Sequence, residues 1–140
     1  MIDKRNYVLD TSVAVAWYLE ESFATRARIW QQKLISSKVE LIVPSLHYLE
    51  LANVLRTLVK RRELDEELAR EIYGLHLEAP LEIREPDSRG LLDLALEYGA
   101  TAYDAAFISL CLDKDIPLIT AERTTTPWVT KLGTRVESVK

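Results

Sequence analysis

The stretch that decides the fold is Tyr7-Val8-Leu9-Asp10-Thr11-Ser12, in which three strand-forming apolar residues lead into an acid and two hydroxyl residues. A short apolar run bounded in this way is typical of a buried strand in a parallel sheet. The hydroxyl of Thr11 or Ser12 can cap a following helix, which the pattern extends to about Glu21. Because such sheets bind ligands beyond the carboxyl ends of their strands, Asp10 is predicted to lie where the chemistry takes place.

Strands and helices alternate along the rest of the chain. Apolar runs predict further strands at 39–43, 81–83, 116–120 and 135–139. Helical periodicity predicts helices at 24–35, 45–62, 64–78, 88–98 and 101–114, with Asp65 opening the third of these and Gly99 closing the fourth. This alternation predicts an α/β fold, a three-layer α/β/α sandwich with a central parallel sheet, formed by residues 1–140 as one domain.

The composition excludes several classes of protein. Hydrophobic residues make up 48% and charged residues 29%, and no apolar run is long enough for a membrane span. The N-terminus carries no signal-peptide core, and the only cysteine, Cys111, cannot form an internal disulfide, so we expect a cytoplasmic protein. A net charge of −4 disfavours coating of nucleic acid by bulk positive charge, but it allows an enzyme that holds cations in an acidic pocket.

Two further acids stand at positions where they can join Asp10. Asp104 shares a helix face with Phe107 and Ile108, and a charge on such an apolar face is normally paired or bound to a cation. Glu122 follows the strand at 116–120, as Asp10 follows the first strand. The alternative interpretations are that Asp104 caps its helix and that Glu122 is an ordinary loop acid.

Glu50 completes the set of acids. It lies in the second turn of a helix that follows a strand, on a narrow polar stripe that also contains Asn53 and Thr57, although it can equally be a solvated surface residue. Carboxylates that converge at one sheet edge repel each other unless cations fill the space. Oxygen ligands without a histidine or thiolate set predict Mg²⁺ or Mn²⁺, and such a pocket usually handles phosphates.

Four segments of the chain carry a resemblance to a known family. They are Val8-Leu9-Asp10-Thr11-Ser12, Pro44-Ser45 leading to Glu50-Leu51-Ala52-Asn53-Val54-Leu55, Tyr103-Asp104-Ala105-Ala106-Phe107, and Pro117-Leu118-Ile119-Thr120-Ala121. Together they resemble the PIN-domain ribonucleases, most closely toxins of the VapC type. The resemblance implies a small α/β sandwich, divalent-metal-dependent cleavage of RNA, a homodimer, and a cognate antitoxin protein that inhibits by occupying the acidic cleft.

By this resemblance, Asp10, Glu50 and Asp104 fall on the family's first three acidic positions, and Glu122 stands where the family usually has an aspartate. We therefore expect these four acids to be the catalytic residues and metal ligands of an endoribonuclease that uses a metal-activated water, with Asp10 and Asp104 as the principal ligands. Four neighbours are candidates for hydrogen bonds that hold these acids: Thr11, Ser12, Asn53 and Thr120.

Two other functions compete with this hypothesis. The glutamate at position 122 is compatible with a catalytically weakened PIN domain that binds RNA or a regulatory partner without cleavage. A phospho-acceptor signalling domain also has an aspartate at a strand end. That chemistry needs paired acids after the first strand and a lysine after a late one, where this chain has Thr11-Ser12 and Thr120-Ala121.

The remaining notable side chains receive structural interpretations first. His47 and His76 have no ligand spacing and are predicted to lie on the surface or to pack between helices, and Cys111 is predicted to be inert core. Tryptophans suit core or dimer packing as well as base stacking, and the Lys60-Arg61-Arg62 run suits a helix end as well as an RNA backbone. Apolar residues of the helices at 24–35 and 46–58 are candidates for an antitoxin groove.

Overall fold

The computed structural model describes residues 4–140, so the part of the signal-peptide prediction that rests on residues 1–3 lies outside the described residues. The sheet has five parallel strands in the order β3-β2-β1-β4-β5. The strands are β1 (Arg5–Leu9), β2 (Val39–Val43), β3 (Glu82–Ile83), β4 (Leu118–Thr120) and β5 (Val136–Ser138). The predicted parallel sheet is therefore confirmed.

Helices cover both faces of this sheet. They are α1 (Thr11–Tyr18), α2 (Ala24–Ile35), α3 (Leu46–Lys60), α4 (Glu66–Leu77), α5 (Leu91–Tyr98), α6 (Ala102–Lys114) and α7 (Pro127–Leu132), with single 3₁₀ turns at Ser88–Gly90 and Gly133–Arg135. Within residues 4–140, no helix combines the length and the apolar character that a membrane crossing requires.

The alternation of side chains along β1 creates the three layers. Tyr7 and Leu9 point into a core shared with α1 and α2, whereas Val8 points into a second core shared with α6 and α7. Successive strand residues face opposite sides of a sheet, so a strand buried on both faces is apolar throughout. The apolar run 7–9 therefore lies in the central strand of an α/β/α sandwich.

Helices α3 and α4 form a hairpin with a small core of its own. Leu51 and Leu55 of α3 pack against Ala69 and Ile72 of α4. The side chain of Asp65 accepts the Leu68 N–H at 3.2 Å and caps α4, as predicted. Helix α3 places Glu50 beside Thr11, which follows the carboxyl end of β1.

The strand order reverses between β1 and β4. From β1 the chain proceeds to β2 and β3 on one side, and it returns to β4 and β5 on the other. A crevice opens at such a switch point outside the carboxyl ends of the two strands, and ligands of open α/β sheets bind there. Asp10 and Glu122 flank this crevice from its two sides.

The predicted start and end of the first helix were wrong. Asp10, not Thr11 or Ser12, is the N-cap residue of α1, Thr11 is already helical, and the helix ends at Tyr18 rather than near Glu21. Helix α7 was not predicted, because its six residues are too few to establish a periodicity. Its signal in the sequence was Pro127, which takes the first turn, where the missing N–H of proline does no harm.

Candidate active site

Asp10 occupies the centre of the candidate site. It follows β1, is only 9% exposed, and donates its backbone N–H to the Ile119 carbonyl at 2.9 Å. Its Oδ2 accepts hydrogen bonds from Thr120 Oγ1 at 2.7 Å and from Ser12 Oγ at 3.1 Å. Both of these bonds go to Oδ2, and no side-chain hydrogen bond within residues 4–140 involves Oδ1. The carboxylate is therefore held by only one of its two oxygens.

The same two hydroxyls tie the end of β4 to the start of α1. Ser12 Oγ accepts the Ala121 N–H at 3.2 Å, and Thr120 Oγ1 accepts the Glu122 N–H at 3.0 Å. Each hydroxyl therefore donates to Asp10 and accepts from the segment that carries Glu122. The side chain of Glu122 itself is exposed, with one long hydrogen bond of 3.4 Å from Thr126 Oγ1.

Glu50 reaches the site from the second turn of α3. Its side chain is half-buried, and Thr11 Oγ1 donates a hydrogen bond of 2.8 Å to Oε1. The prediction that Asn53 orients Glu50 has no support, because Asn53 is exposed and the observed donor is Thr11. Three of the four predicted hydrogen-bonding neighbours thus contact the acids, and their role in a reaction stays a prediction.

Asp104 enters from the first turn of α6. Thr101 Oγ1 accepts the Asp104 N–H at 3.0 Å and caps the helix. The alternative interpretation, that Asp104 is the cap, is therefore wrong, and its half-buried carboxylate is not used in capping. Phe107 and Ile108, one turn further on, are buried as the periodicity predicted.

These acids act on one another electrostatically. Burial raises the pKa of Asp10 to about 6, the hydrogen bond from Thr120 opposes the rise, and repulsion by Asp104 and Glu50 adds to it. Burial also raises the pKa of Glu50, against the hydrogen bond from Thr11 and together with repulsion by Asp104. Burial and repulsion by Glu122 raise the pKa of Asp104, despite its bond to Thr101. Acids from four separate segments of the chain thus influence one another.

The donor set suits a hard divalent cation. In the part of the chain that the structure describes, no three histidine, cysteine or acidic side chains form a cluster tight enough to hold a metal ion. The coupled donors are nevertheless all carboxylate oxygens, which Mg²⁺ and Mn²⁺ prefer, and a cation among them relieves the repulsion that raises their pKa values. The donor chemistry fits such an ion, and the individual ligand roles stay predictions.

A buried pair of histidines lies next to the site, and the sequence did not predict that these two side chains contact each other. His47 and His76 are both 0% exposed, and their Nε2 atoms lie 2.7 Å apart between α3 and α4. Their predicted surface alternative is wrong, and their helix-packing alternative is confirmed. The sequence held a signal, because His76 shares the apolar face of Ala69 and Ile72 and His47 shares that of Leu51.

The other notable side chains belong to the core. Cys111 is fully buried, and this burial raises the pKa of its thiol to about 11, which keeps the thiol protonated and inert. Trp17 and Trp128 are buried in the two cores beside the sheet. Trp30 packs edge-on against Tyr7 with a centroid distance of 4.7 Å. The tryptophans therefore support packing rather than base stacking.

Comparison with known proteins connects this geometry to a family. Residues 7–124 match the family model described as the PIN domain. The fold is similar to the crystal structure of PAE2754 from Pyrobaculum aerophilum, with a TM-score of 0.75 and 18% identity over 96% of this chain and 84% of that one. At this identity the likeness supports the fold alone. None of the curated proteins matches the chain.

Proposed function

The chain belongs to the PIN-domain family, and from this premise we propose that it is a divalent-metal-dependent endoribonuclease. PIN domains are generally nucleases, so membership indicates hydrolysis of nucleic-acid phosphodiesters. The choice of RNA, the dependence on Mg²⁺ or Mn²⁺ and the identity of the catalytic residues are the finer parts of the proposal. They are supported by the four segments that resemble ribonucleases of this family.

One observation carries the proposal: Asp10, Glu50, Asp104 and Glu122 come from four separate segments of the chain and lie close enough at the switch point of the sheet for neighbouring acids to repel one another. Holding like charges together is unfavourable, and repulsion of this kind is typical of a functional site rather than of a stabilising network.

We assign the roles of the four acids from the family resemblance and from these positions. Asp10 and Asp104 are the principal metal ligands, and Glu50 and Glu122 complete the set directly or through water. A divalent cation held by these residues would supply an activated water and would stabilise the leaving oxygen of the phosphodiester. Thr120 and Ser12 keep the Asp10 carboxylate oriented, and Thr11 does the same for Glu50. Preorganised groups of this kind lower a barrier because they need no rearrangement during the reaction.

The proposal extends to a cellular role. The VapC-type resemblance supports a homodimeric, cytoplasmic toxin whose cognate antitoxin occupies the acidic cleft. An open groove of about 480 Å³ between α3 and α4 suits a partner segment. Its floor is apolar, with Leu55 and Val59, and its rim is largely basic, with Arg56, Lys60 and Arg70. This groove includes part of the helix at 46–58 that was a candidate for antitoxin binding.

The experiment that tests the activity compares the wild-type protein with Asp104→Asn on a panel of structured RNAs. We expect cleavage with Mg²⁺ or Mn²⁺, no cleavage with EDTA, and loss of cleavage in the variant. Asn preserves the shape of the side chain and removes its charge, so circular dichroism should show both proteins equally folded. Cleavage that persists in EDTA or in the folded variant would contradict the proposal.

A second candidate is a weakened PIN domain that binds RNA or a regulatory partner. Two observations favour it: Glu122 is exposed, and residues 4–140 form no tight metal-ligand cluster. Calorimetry with Mn²⁺ separates the candidates, since a weakened site binds the ion poorly. Substituting Glu122→Asp should then restore both Mn²⁺ affinity and cleavage, whereas in an active enzyme the same substitution changes little.

A further inference from the structure

A continuous row of hydrogen-bonded side chains runs from Tyr18, at the end of α1, to Glu50. Tyr18 Oη lies 2.7 Å from His76 Nδ1, and His76 Nε2 lies 2.7 Å from His47 Nε2. His47 Nδ1 lies 2.9 Å from Thr11 Oγ1, which donates to Glu50 Oε1 at 2.8 Å. We call this row, Tyr18–His76–His47–Thr11–Glu50, the histidine chain. It joins α1, α4 and α3.

The donors and acceptors of the histidine chain can be assigned from its acidic end. An ionised Glu50 only accepts, so the single hydroxyl hydrogen of Thr11 points to it, and His47 Nδ1–H must donate to Thr11. A neutral imidazole carries one N–H, so His47 Nε2 accepts from His76 Nε2–H.

The same reasoning completes the chain. His76 Nδ1 is left as an acceptor, and it receives the hydroxyl hydrogen of Tyr18. The two histidines therefore hold opposite tautomers, with Nδ1–H in His47 and Nε2–H in His76. Every hydrogen bond points towards Glu50, and bonds aligned in this way polarise and strengthen one another.

The surroundings keep the histidine chain neutral. Burial and the neighbouring His76 lower the pKa of His47 to about 3, and burial lowers the pKa of His76 to about 4. Burial raises the pKa of Tyr18 to about 12, so its hydroxyl stays protonated. The pair lies among the rings of Trp17, Tyr18 and Tyr48. No buried side-chain nitrogen or oxygen within residues 4–140 lacks a hydrogen-bond partner.

We infer that His47, His76 and Tyr18 are positioning residues that fix the orientation of the Glu50 carboxylate through Thr11. Apolar side chains would fill the space between α3 and α4 without the risk of an unpaired polar group, so packing alone does not require this arrangement. Partners that orient an acid at a metal site are worth about 10- to 100-fold in affinity or activity. In its consequence for catalysis, the inference rests on the proposed function.

The first test reads the tautomers, and it needs no enzymatic activity. In ¹⁵N NMR spectra of the imidazole rings at pH 7, we expect neutral rings with Nδ1–H for His47 and Nε2–H for His76. The Nε2–H tautomer is the usual form of a free neutral histidine, so His47 is the informative ring. Finding Nε2–H in His47 would overturn the inference, because Thr11 would then lack its donor.

The second test separates positioning from packing with matched substitutions. His47→Leu removes the donor to Thr11, whereas His47→Asn restores an N–H near the position of Nδ1. We expect kcat for RNA cleavage to fall about 10- to 100-fold in His47→Leu with little change in KM, and to recover substantially in His47→Asn. Tyr18→Phe should lower kcat less, and Tyr48→Phe, which alters a ring that touches the pair from outside the chain, should leave it unchanged.

Crystal structures of the wild type and of His47→Leu keep the two proposals separable. We expect one ordered Glu50 carboxylate in the wild type and a displaced or disordered one in the variant. If the wild type does not cleave RNA, the proposed function fails, while the tautomers and the Glu50 position still decide the positioning role. If Glu50 stays in place in His47→Leu, or if that variant keeps the wild-type kcat, the positioning role is overturned.

Discussion

Asp10 is held in the folded protein at a cost in stability. The carboxyl is almost fully buried, and its pKa is raised from 3.8 to about 6 by burial and by neighbouring acids. Because the folded state binds the proton more tightly than the unfolded state, the free energy of unfolding falls as pH rises from about 4 to 6. Above pH 6 the free energy of unfolding is lower by about 3 kcal/mol than it is below pH 4.

Substituting Asp10→Asn should therefore stabilise the protein while it abolishes cleavage. The amide oxygen still accepts from Thr120 and Ser12, and the buried charge is gone. We expect a gain of up to about 3 kcal/mol at pH 8 that shrinks towards zero near pH 4. Denaturant unfolding in EDTA measures it at both pH values. A variant less stable than the wild type at pH 8 would contradict this account of Asp10.

Thr120 lowers the pKa of the Asp10 carboxyl, whereas burial raises it. Its hydroxyl donates to Asp10 Oδ2 at 2.7 Å, and this hydrogen bond favours the ionised form. Thr120→Val keeps the shape of the side chain and removes the donor, so the pKa of Asp10 should rise above that of the wild type. A ¹³C NMR titration in EDTA follows the carboxyl directly. Thr130→Val is the control, since that hydroxyl donates to the Thr124 carbonyl instead; an unchanged pKa in Thr120→Val would contradict the assignment.

Helix α6 presents Asp104 because another residue caps it. Thr101 accepts the Asp104 N–H at 3.0 Å, so Thr101→Ala should cost about 1 kcal/mol of stability and should loosen the first turn. We therefore expect a lower Mn²⁺ affinity as well as a lower melting temperature. Thr101→Ser keeps the hydroxyl and should preserve both. If Thr101→Ala lowers the melting temperature but binds Mn²⁺ normally, the cap supports the helix without positioning its acid.

Elements whose first and last residues are determined by the local sequence were predictable. Strand β2 and helix α2 have the predicted limits, and Asp65 and Gly99 mark the start of α4 and the end of α5. Gly99 adopts φ 61°, a left-handed conformation that glycine tolerates best. The α1 cap was wrong because the hydroxyls of Thr11 and Ser12 are engaged with Glu50 and Asp10, and only the tertiary structure brings Glu50 near Thr11.

The placement of acids at one edge of the sheet was predictable for a different reason. Parallel strands align their carboxyl ends, so the acids that follow β1 and β4 lie at the same edge once the fold class is known, while their roles stay predictions. The histidine chain had no such rule, because His47 and His76 meet only through the packing of α3 on α4. A periodic pattern shows that a residue faces inward, but it does not show which side chain it will meet.

The folded protein concentrates negative charge at one edge of its sheet. From this distribution we predict how removal of a metal ion changes its stability. A cation bound there stabilises only the folded protein, and at 100 times its dissociation constant the gain is about 2.7 kcal/mol. For a chain of this size we expect the melting temperature to rise by roughly 10 °C with Mn²⁺ and to fall again with EDTA.

Substitutions of single carboxylates show where the ion binds, because loss of a ligand reduces the rise in melting temperature that Mn²⁺ causes. Asp10→Asn should lose most of this rise, because the substitution removes a proposed principal ligand, although the variant begins from a higher melting temperature. Glu40→Gln is the matched control, since Glu40 is an exposed acid in the amino-terminal half of β2, away from the candidate site. Calorimetric melting of the three proteins with Mn²⁺ and with EDTA gives the comparison. An equal Mn²⁺ shift in all three would place the ion elsewhere, because stabilisation that survives the loss of Asp10 does not arise from relief of the repulsion around it.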